Sequence, residues 1–168
     1  MTSRVKKISF ALLAGSLLAT LSFSSFAADA PAGAPAGPNP GKQAIAVHKA
    51  AFTLIANSFK PLGDASQGKV DYNQADFQKR ANRILVLTDF LETSFPETAN
   101  LGEPDTKTKP EAWTNKAEFD KKIKDFQEHA VALVKVVGTE KTASDAFKDA
   151  AGAVAKDCKG CHEGFKAK

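Results

Sequence analysis

Apolar side chains recur at spacings of three and four residues in four stretches of the chain. This is the spacing of the buried face of an amphipathic bundle helix, so the pattern predicts four helices. The four faces are Ile45, His48, Phe52, Ile55, Phe59; then Phe77, Ala81, Ile84, Leu87, Leu91, widened by Leu85, Val86 and Phe90; then Phe119, Ile123, Phe126, Ala130, Leu133, Val137; and Phe147, Ala151, Val154, Cys158, Cys161, Phe165. The last two faces keep the spacing 4, 3, 4, 3, 4 without a break.

Start and stop signals separate these stretches. Pro61 and Gly63 should end the first helix, and only a few residues from Gly138 to Thr142 separate the last two, which must then be antiparallel neighbours. No stretch alternates with a period of two, as a β-strand would. The remaining signals are Asn73 or Asp76 as the start of the second helix, Pro96 as its end, and Thr142 or Ser144 as the start of the fourth. The prediction is an all-α fold, a single antiparallel four-helix bundle.

The N-terminal region has a different pattern. Residues 1–27 have a basic start, an uncharged apolar run and small residues at Ser25 and Ala27, as in a secretory signal peptide cleaved after Ala27. Cleavage after Ala30 and a retained membrane anchor are weaker alternatives. Residues 28–41 are rich in Ala, Pro and Gly and are predicted to be a disordered linker. We therefore expect a folded domain over residues 42–168 in a protein exported to the periplasm.

Composition and charge exclude several classes of function. The chain has 168 residues, 43% of them hydrophobic, which suits one globular domain with a real core. Its formal charge is +4, but three basic residues fall in the predicted signal, so residues 28–168 carry a net charge of +1. Such a balance offers no argument for a nucleic acid or, after signal cleavage, a membrane as partner.

The motif Cys158-Lys159-Gly160-Cys161-His162 carries the candidate chemistry. C-x-x-C-H is the attachment signature of a c-type heme: two thiols three residues apart share a helix face and can bond to the two vinyl groups of one porphyrin. His162 follows directly and becomes the proximal axial ligand of the iron. A redox-active disulfide would normally accompany a βαβ pattern, and zinc would need a fourth ligand; both alternatives are weaker.

These residues carry a family resemblance over about residues 42–168. A C-x-x-C-H motif in the last helix of an exported four-helix chain resembles the class II c-type cytochromes, and more narrowly the cytochromes c′. The C-terminal sequence CKGCHEGFKAK is similar to the family ending, with Phe165 where Tyr is usual and Lys166 where Arg is frequent. The segments 50–59 and 110–113 resemble its first helix and the loop before its third helix. The resemblance implies one covalent heme c.

The side of the iron opposite His162 decides between two functions. Met1 is the only methionine, so no Met ligand survives signal removal. Alignment with the family's first helix places Phe52 over the iron, and Phe cannot coordinate. We therefore expect five-coordinate, high-spin iron in an apolar pocket that Phe59 and Phe95 also line. The alternative is a sixth ligand, with His48 as the candidate.

Basic residues are candidates for contact with the heme propionates. His48 and Lys49 lie near the place where the family often has Arg, and Lys107 and Lys109 precede Trp113. Lys166, four residues after His162, can act on the proximal side. His129 is more consistent with a flanking position than with a ligand. Each of these residues has a plainer interpretation as part of a solvated surface.

Two functions follow from these expectations. An open iron in an apolar pocket would bind small neutral gases such as NO and CO and would disfavour O₂, and the resemblance implies NO binding. A low-spin iron would instead favour a periplasmic electron carrier with an unidentified redox partner. An enzyme such as a peroxidase would need a distal acid–base group, so we expect no enzymatic activity. The resemblance further implies a homodimer through the first two helices, where Val47, Leu54, Val86 and Phe90 are candidate interface residues.

Overall fold

The computed structural model describes residue 37 and residues 39–168. The signal peptide, residues 1–27, and most of the linker lie outside the described residues. The helices are α1 (Pro40–Ser66), α2 (Gln74–Thr93), the one-turn α3 (Glu111–Thr114), α4 (Lys116–Thr139) and α5 (Asp145–Phe165), with a short 3₁₀ helix at Glu97–Ala99 between α2 and α3.

The four long helices form an antiparallel four-helix bundle, as predicted. Helix α2 packs against α1 and α4, α4 also packs against α5, and a less extensive contact between α5 and α1 completes the bundle. All six predicted positions of α4 are buried, and in α5 the only two that stay partly exposed are Cys158 and Cys161. The core of the bundle therefore follows the helical spacing, with the two thiols at its edge. Val86 and Phe90, which were expected to widen the buried face of α2, are instead exposed, so this face is narrower than predicted.

The predicted end of the first helix was wrong, because α1 continues through Pro61 to Ser66. A proline inside a helix lacks the N–H that would bond to the carbonyl four residues earlier, here that of Asn57. Arg80 of α2 donates from Nη1 to this Asn57 oxygen at 3.3 Å. A side chain of the neighbouring helix thus supplies the hydrogen bond that Pro61 cannot, and α1 gains another turn.

The true end of α1 is a Schellman motif around Gly68. The amides of Gly68 and Lys69 donate to the carbonyls of Ala65 and Asp64. Gly68 has φ of +71°, the left-handed conformation that glycine adopts at little cost. Only residues 67–73 therefore connect α1 to α2, fewer than the dozen that the sequence suggested.

Helices α2 and α5 begin at residues that the sequence offered as caps. The side chains of Asn73 and Ser144 accept the amides of Asp76 and Phe147, so they cap α2 and α5. Helix α1 begins at Pro40, two residues before the expected start of the domain, with Asn39 as its cap. Pro40 and Gly41 therefore belong to the helix and not to the linker, since proline is favoured in the first turn of a helix.

The long connection from α2 to α4 is held against the C-terminal end of the chain. Thr108 forms an antiparallel bridge with Lys166, the amide of Lys109 donates to Phe165, and the amide of Ala167 donates to Lys107. In the described part of the chain, no helix has the length and apolar character needed to cross a membrane.

Candidate functional site

A cavity of about 850 Å³ opens between the helices at the end of the bundle that holds the C-x-x-C-H motif. This volume lies in the range of cofactor pockets. Its wall is mainly apolar, and α1, α4 and α5 line it together with the end of α2 and residues 104–108. Cys158, Cys161 and His162 all border the cavity. The tertiary structure therefore gathers the whole motif around one space.

The three motif residues lie on the last turns of α5. Cys158 and Cys161 are free thiols, half-buried and one helical turn apart. His162 follows Cys161, so thiols and imidazole border the cavity from one helix. Two thiols and one imidazole at an apolar wall are the donor set that a covalently attached heme needs: two thioether positions and one axial nitrogen. The residues present fit the group.

The environment of the thiols argues against a redox-active disulfide. Burial raises the pKa of Cys158, and Asp157 adds to this effect; burial likewise raises the pKa of Cys161. The attacking cysteine of a C-x-x-C redox motif has a lowered pKa, because its thiolate is the nucleophile. Burial also lowers the pKa of His162, with a smaller contribution from Lys166, and so favours the neutral imidazole that binds metals.

Aromatic rings form the wall of the cavity near His162. The Phe52 ring lies edge-on to the imidazole of His162 with ring centroids 6.4 Å apart, and the Phe95 ring lies 6.5 Å from Phe52. Phe59 and Phe165 also line the cavity. Phe119 of α4 packs against both Phe95 and Phe165. A row of phenylalanines therefore runs from α1 across the cavity to α5.

His48 is buried in this wall, with 4% of its surface exposed. The Ser94 carbonyl lies 3.3 Å from Nδ1 and can only accept, so Nδ1 carries the proton of the neutral ring. The imidazole stacks on Phe95 with ring centroids 4.6 Å apart and planes 13° apart. Burial lowers the pKa of His48 more than the Ser94 hydrogen bond raises it. His48 is thus a neutral wall residue and not the exposed rim histidine that we also considered.

The predicted basic residues separate into two groups. Lys49, Lys107 and Lys166 line the cavity. Lys109 is not among the described residues that line it: its ammonium group bonds to the carbonyls of Glu163 and Gly164 at the end of α5. A lysine in this position satisfies helix-terminal carbonyls that lack an amide partner. Lys109 therefore supports the helix that carries the motif.

His129 lies outside the cavity but supports its wall, consistent with the flanking position expected for it. Its Nδ1 lies 2.7 Å from the carboxylate of Asp157, which is 14% exposed and directly precedes Cys158. The contact joins α4 to α5 beside the first thiol. Sequence periodicity did not reveal this pair, because the two residues are 28 positions apart.

Residues 104–106 form a part of the wall that the sequence analysis missed, although it named the neighbouring Lys107. Pro104, Asp105 and Thr106 border the cavity, and Thr106 is buried with its hydroxyl bonded to Thr108. Lys42 of α1 pairs with Asp105 at 3.0 Å. A loop has no period that marks an inner face, so only the backbone contacts with residues 165–167 reveal its place.

The bundle and this site together define a c-type heme protein of the four-helix class. A family model described as Cytochrome C′ matches residues 43–166. A cytochrome c′ of Rubrivivax gelatinosus is 33% identical over 126 residues, which are 74% of this chain and 95% of that protein. A cytochrome c′ of Rhodopseudomonas palustris is 32% identical over 124 residues, 74% of this chain and 82% of that one.

Solved structures agree. The structure of cytochrome c prime from Shewanella frigidimarina superposes with a TM-score of 0.70 at 31% identity, covering 76% of this chain and 97% of that one. The chain belongs to the cytochrome c′ family. Heme c, bound covalently, is accordingly its cofactor.

Proposed function

We propose that this protein is a periplasmic cytochrome c′ with five-coordinate, high-spin iron, which binds small gases such as NO and CO and can also transfer electrons through its heme. The observation that carries the proposal is a contact between two rings. The imidazole of His162, the candidate axial donor, meets the Phe52 ring of α1, which has no atom that can bind iron.

The residues that hold the heme follow from the cavity. Cys158 and Cys161 would form the two thioethers and His162 would supply the axial nitrogen. The rings of Phe52, Phe59, Phe95 and Phe165 would contact the macrocycle, and Lys49, Lys107 and Lys166 would pair with the propionates; all of these residues line the cavity. His48 is less suited to a carboxylate, because burial favours its neutral form. The heme supplies an iron that takes up one neutral diatomic ligand and changes oxidation state.

The protein's own contribution is to keep the pocket apolar. The N–H of His48 is used by Ser94, and the hydroxyl of Thr53 donates to the Lys49 carbonyl at 2.8 Å. Neither of these donors is therefore free for a bound ligand, and the rings of Phe52 and Phe95 offer no hydrogen-bond donor. Such a pocket favours NO and CO over O₂, since the polarised O₂ complex gains from a distal hydrogen-bond donor.

A relative supports the gas-binding part of this proposal. A ferrous variant of cytochrome c prime from Alcaligenes xylosoxidans has been solved with bound NO; it is 25% identical, with a TM-score of 0.67, over 76% of this chain and 96% of that one. By analogy, we expect ferrous iron in this chain to take up NO.

The test is an optical spectrum of the mature protein, produced with heme-attachment machinery, in ferric and dithionite-reduced forms. We expect a high-spin Soret band and a broad, unsplit ferrous visible band, which CO and NO then change in a saturable way. Cys158→Ala and Cys161→Ala should each retain heme by one thioether, and the double variant should lose covalent heme on denaturation.

Sharp, split ferrous bands without ligand uptake would contradict five-coordinate iron. If His48→Ala then abolished those bands, the alternative function, a low-spin electron carrier with His48 as sixth ligand, would replace this proposal. One observation weighs against it: the ring of α1 that meets the His162 imidazole is that of Phe52, whereas His48 is stacked on Phe95. The hydrogen bond from Nδ1 of His48 to Ser94 does not distinguish the two forms, because it leaves Nε2 free.

Export and assembly complete the proposal. Residues 1–27 have the pattern of a cleaved signal, which supports a periplasmic location. Val47, Leu54, Val86 and Phe90 are exposed apolar side chains on α1 and α2, which pack side by side. They support a homodimer through these two helices.

A further inference from the structure

Phe95 contributes a side chain to the gas pocket although it lies in the connection after α2, where no helix holds it. Its backbone carbonyl and that of Pro96 both accept the indole N–H of Trp113, each at 3.1 Å. The backbone at this point is therefore anchored from α3. The orientation of the Phe95 ring needs a separate explanation.

Two rings restrain the ring of Phe95. Phe119 meets it edge-on at 4.8 Å, and His48 stacks almost parallel to it at 4.6 Å. Phe52 lies one helical turn after His48 on α1 and touches the same Phe95 ring. His48 and Phe52 thus both contact Phe95 from α1. His48 stacks on the Phe95 ring, and Phe52 links that ring to His162.

The position of His48 is itself fixed. Its Nδ1–H donates to the carbonyl of Ser94, the residue before Phe95, and the side chain is buried. One imidazole therefore holds both the backbone and the ring of the same short segment. Among the described aromatic rings that line the cavity, His48 is the one oriented by a hydrogen bond.

We infer that His48 is a positioning residue for gas entry, which acts through Phe95. His48 holds the Phe95 ring in place, and the Phe95 ring in turn keeps the Phe52 ring beside His162. His48 does not contact the ligand in this role. The inference rests on the proposed function, since it names what sets the rate at which a gas reaches the iron. Loosening the wall gives the Phe52 ring room to move aside and so speeds ligand entry.

The experiment is a double-mutant cycle on the rate of CO binding to the ferrous heme protein, measured by flash photolysis. His48→Ala should raise the association rate constant between about twofold and tenfold, the range expected from losing one aromatic contact. Phe95→Ala should raise it at least as much. In the Phe95→Ala background, His48→Ala should not change the association rate constant further, because the ring through which His48 acts is absent.

Two further variants separate this role from a structural one. His48→Phe retains a stacked ring but not the hydrogen bond, and it should restore part of the slow rate. Tyr72→Ala is the control: it removes a ring that packs on Phe77 and Phe147 and does not line the cavity, so it should lower stability without changing the CO rate. An unchanged rate in His48→Ala, or an equal acceleration in both Phe95 backgrounds, would overturn the inference.

Failure of the proposed function gives a different signal. If the wild-type protein takes up no CO because its ferrous iron is six-coordinate and low-spin, that state is diamagnetic and the Phe95 ring can be followed by NMR. Faster flipping of this ring in His48→Ala would then support the positioning role. Unchanged flipping, or loss of the low-spin spectrum because His48 is the ligand, would overturn it.

Discussion

Single residues at the ends and edges of the bundle decide how closely its segments approach. Gly41 in the first turn of α1 is such a residue: a Cβ at this position would lie 1.9 Å from the Thr98 carbonyl oxygen of the 3₁₀ helix. The backbone of both segments would have to move apart to admit it. Glycine is required here by close approach, not by an unusual φ angle.

We therefore predict that Gly41→Ala lowers the free energy of unfolding by about 1–3 kcal/mol, the usual cost of overpacking. The matched control is Gly152→Ala in α5, where a Cβ would meet nothing within 4 Å. This second change should stabilise the protein by about 0.5–1 kcal/mol, because alanine is the better helix former. Urea unfolding of both variants measures the difference, and equal effects would contradict the close approach at Thr98.

His48 makes stability depend on pH. Burial is the main reason why its pKa in the folded protein is below 6.5. Below pH 6.5 the unfolded chain binds a proton that the folded protein takes up only at lower pH. Above pH 6.5, His48 is neutral in both states and does not lower the unfolding free energy. As the pH falls from 6.5 toward the pKa of His48 in the folded protein, the unfolding free energy decreases.

The variant His48→Gln removes this titration. We predict that its unfolding free energy, measured between pH 5 and 7, falls less steeply with decreasing pH than that of the wild type. His162 is present in both proteins, so the comparison isolates His48. Parallel curves would mean that His48 titrates alike in the folded and unfolded chains.

Helix α1 shows how one element depends on its neighbour. Pro61 leaves the Asn57 carbonyl without its helical partner, and Arg80 of α2 donates to it while its Nε pairs with Asp76 at 2.6 Å. The local rule that a proline ends a helix is overridden by packing between two helices. The extra turn carries Leu62 and Ala65, both buried in the core.

This account predicts a coupled pair of substitutions. Pro61→Ala restores an N–H to the Asn57 carbonyl and should stabilise the protein by about 1 kcal/mol. Arg80→Met should cost about 1 kcal/mol in the wild type, as expected for one hydrogen bond, and clearly less in the Pro61→Ala background. Thermal unfolding of the four proteins gives the coupling. Additive effects would show that Arg80 does not compensate for Pro61.

At the scale of the whole molecule, the outer faces of α1 and α2 carry four of the exposed large apolar side chains found among the described residues. Val86 and Phe90 of α2 are 61% and 51% exposed, and Leu54 of α1 is 50% exposed. Single exposed apolar residues are ordinary, but such residues on two packed helices favour an interface. This is the surface proposed for the homodimer.

The prediction is that Val86→Lys shifts the protein from dimer to monomer in sedimentation equilibrium, because a charge at an apolar interface has to be desolvated. Val131→Lys on α4 is the control, since Val131 is also exposed, at 39%, but lies on another helix. The heme spectrum should be unchanged in both. A dimer that persists in Val86→Lys but dissociates in Val131→Lys would place the interface on α4 instead.

The sequence by itself determined the helices, their buried faces and the heme motif. These are local properties: a helical period marks which side chains face inward, as in Phe119 to Val137, and C-x-x-C-H places two thiols and an imidazole on one turn. The caps Asn73 and Ser144 were predictable for the same reason, because a cap acts on amides two or three residues away.

The tertiary structure alone decided what depends on distant partners. It carried α1 through Pro61 by means of Arg80, turned Lys109 from a propionate candidate into a cap of α5, and brought residues 104–106 into the cavity wall. It also buried His48 against Ser94 and Phe95, 46 and 47 residues away. Contacts over such separations leave no periodic trace in the chain, because they form only when the packed helices bring the segments together.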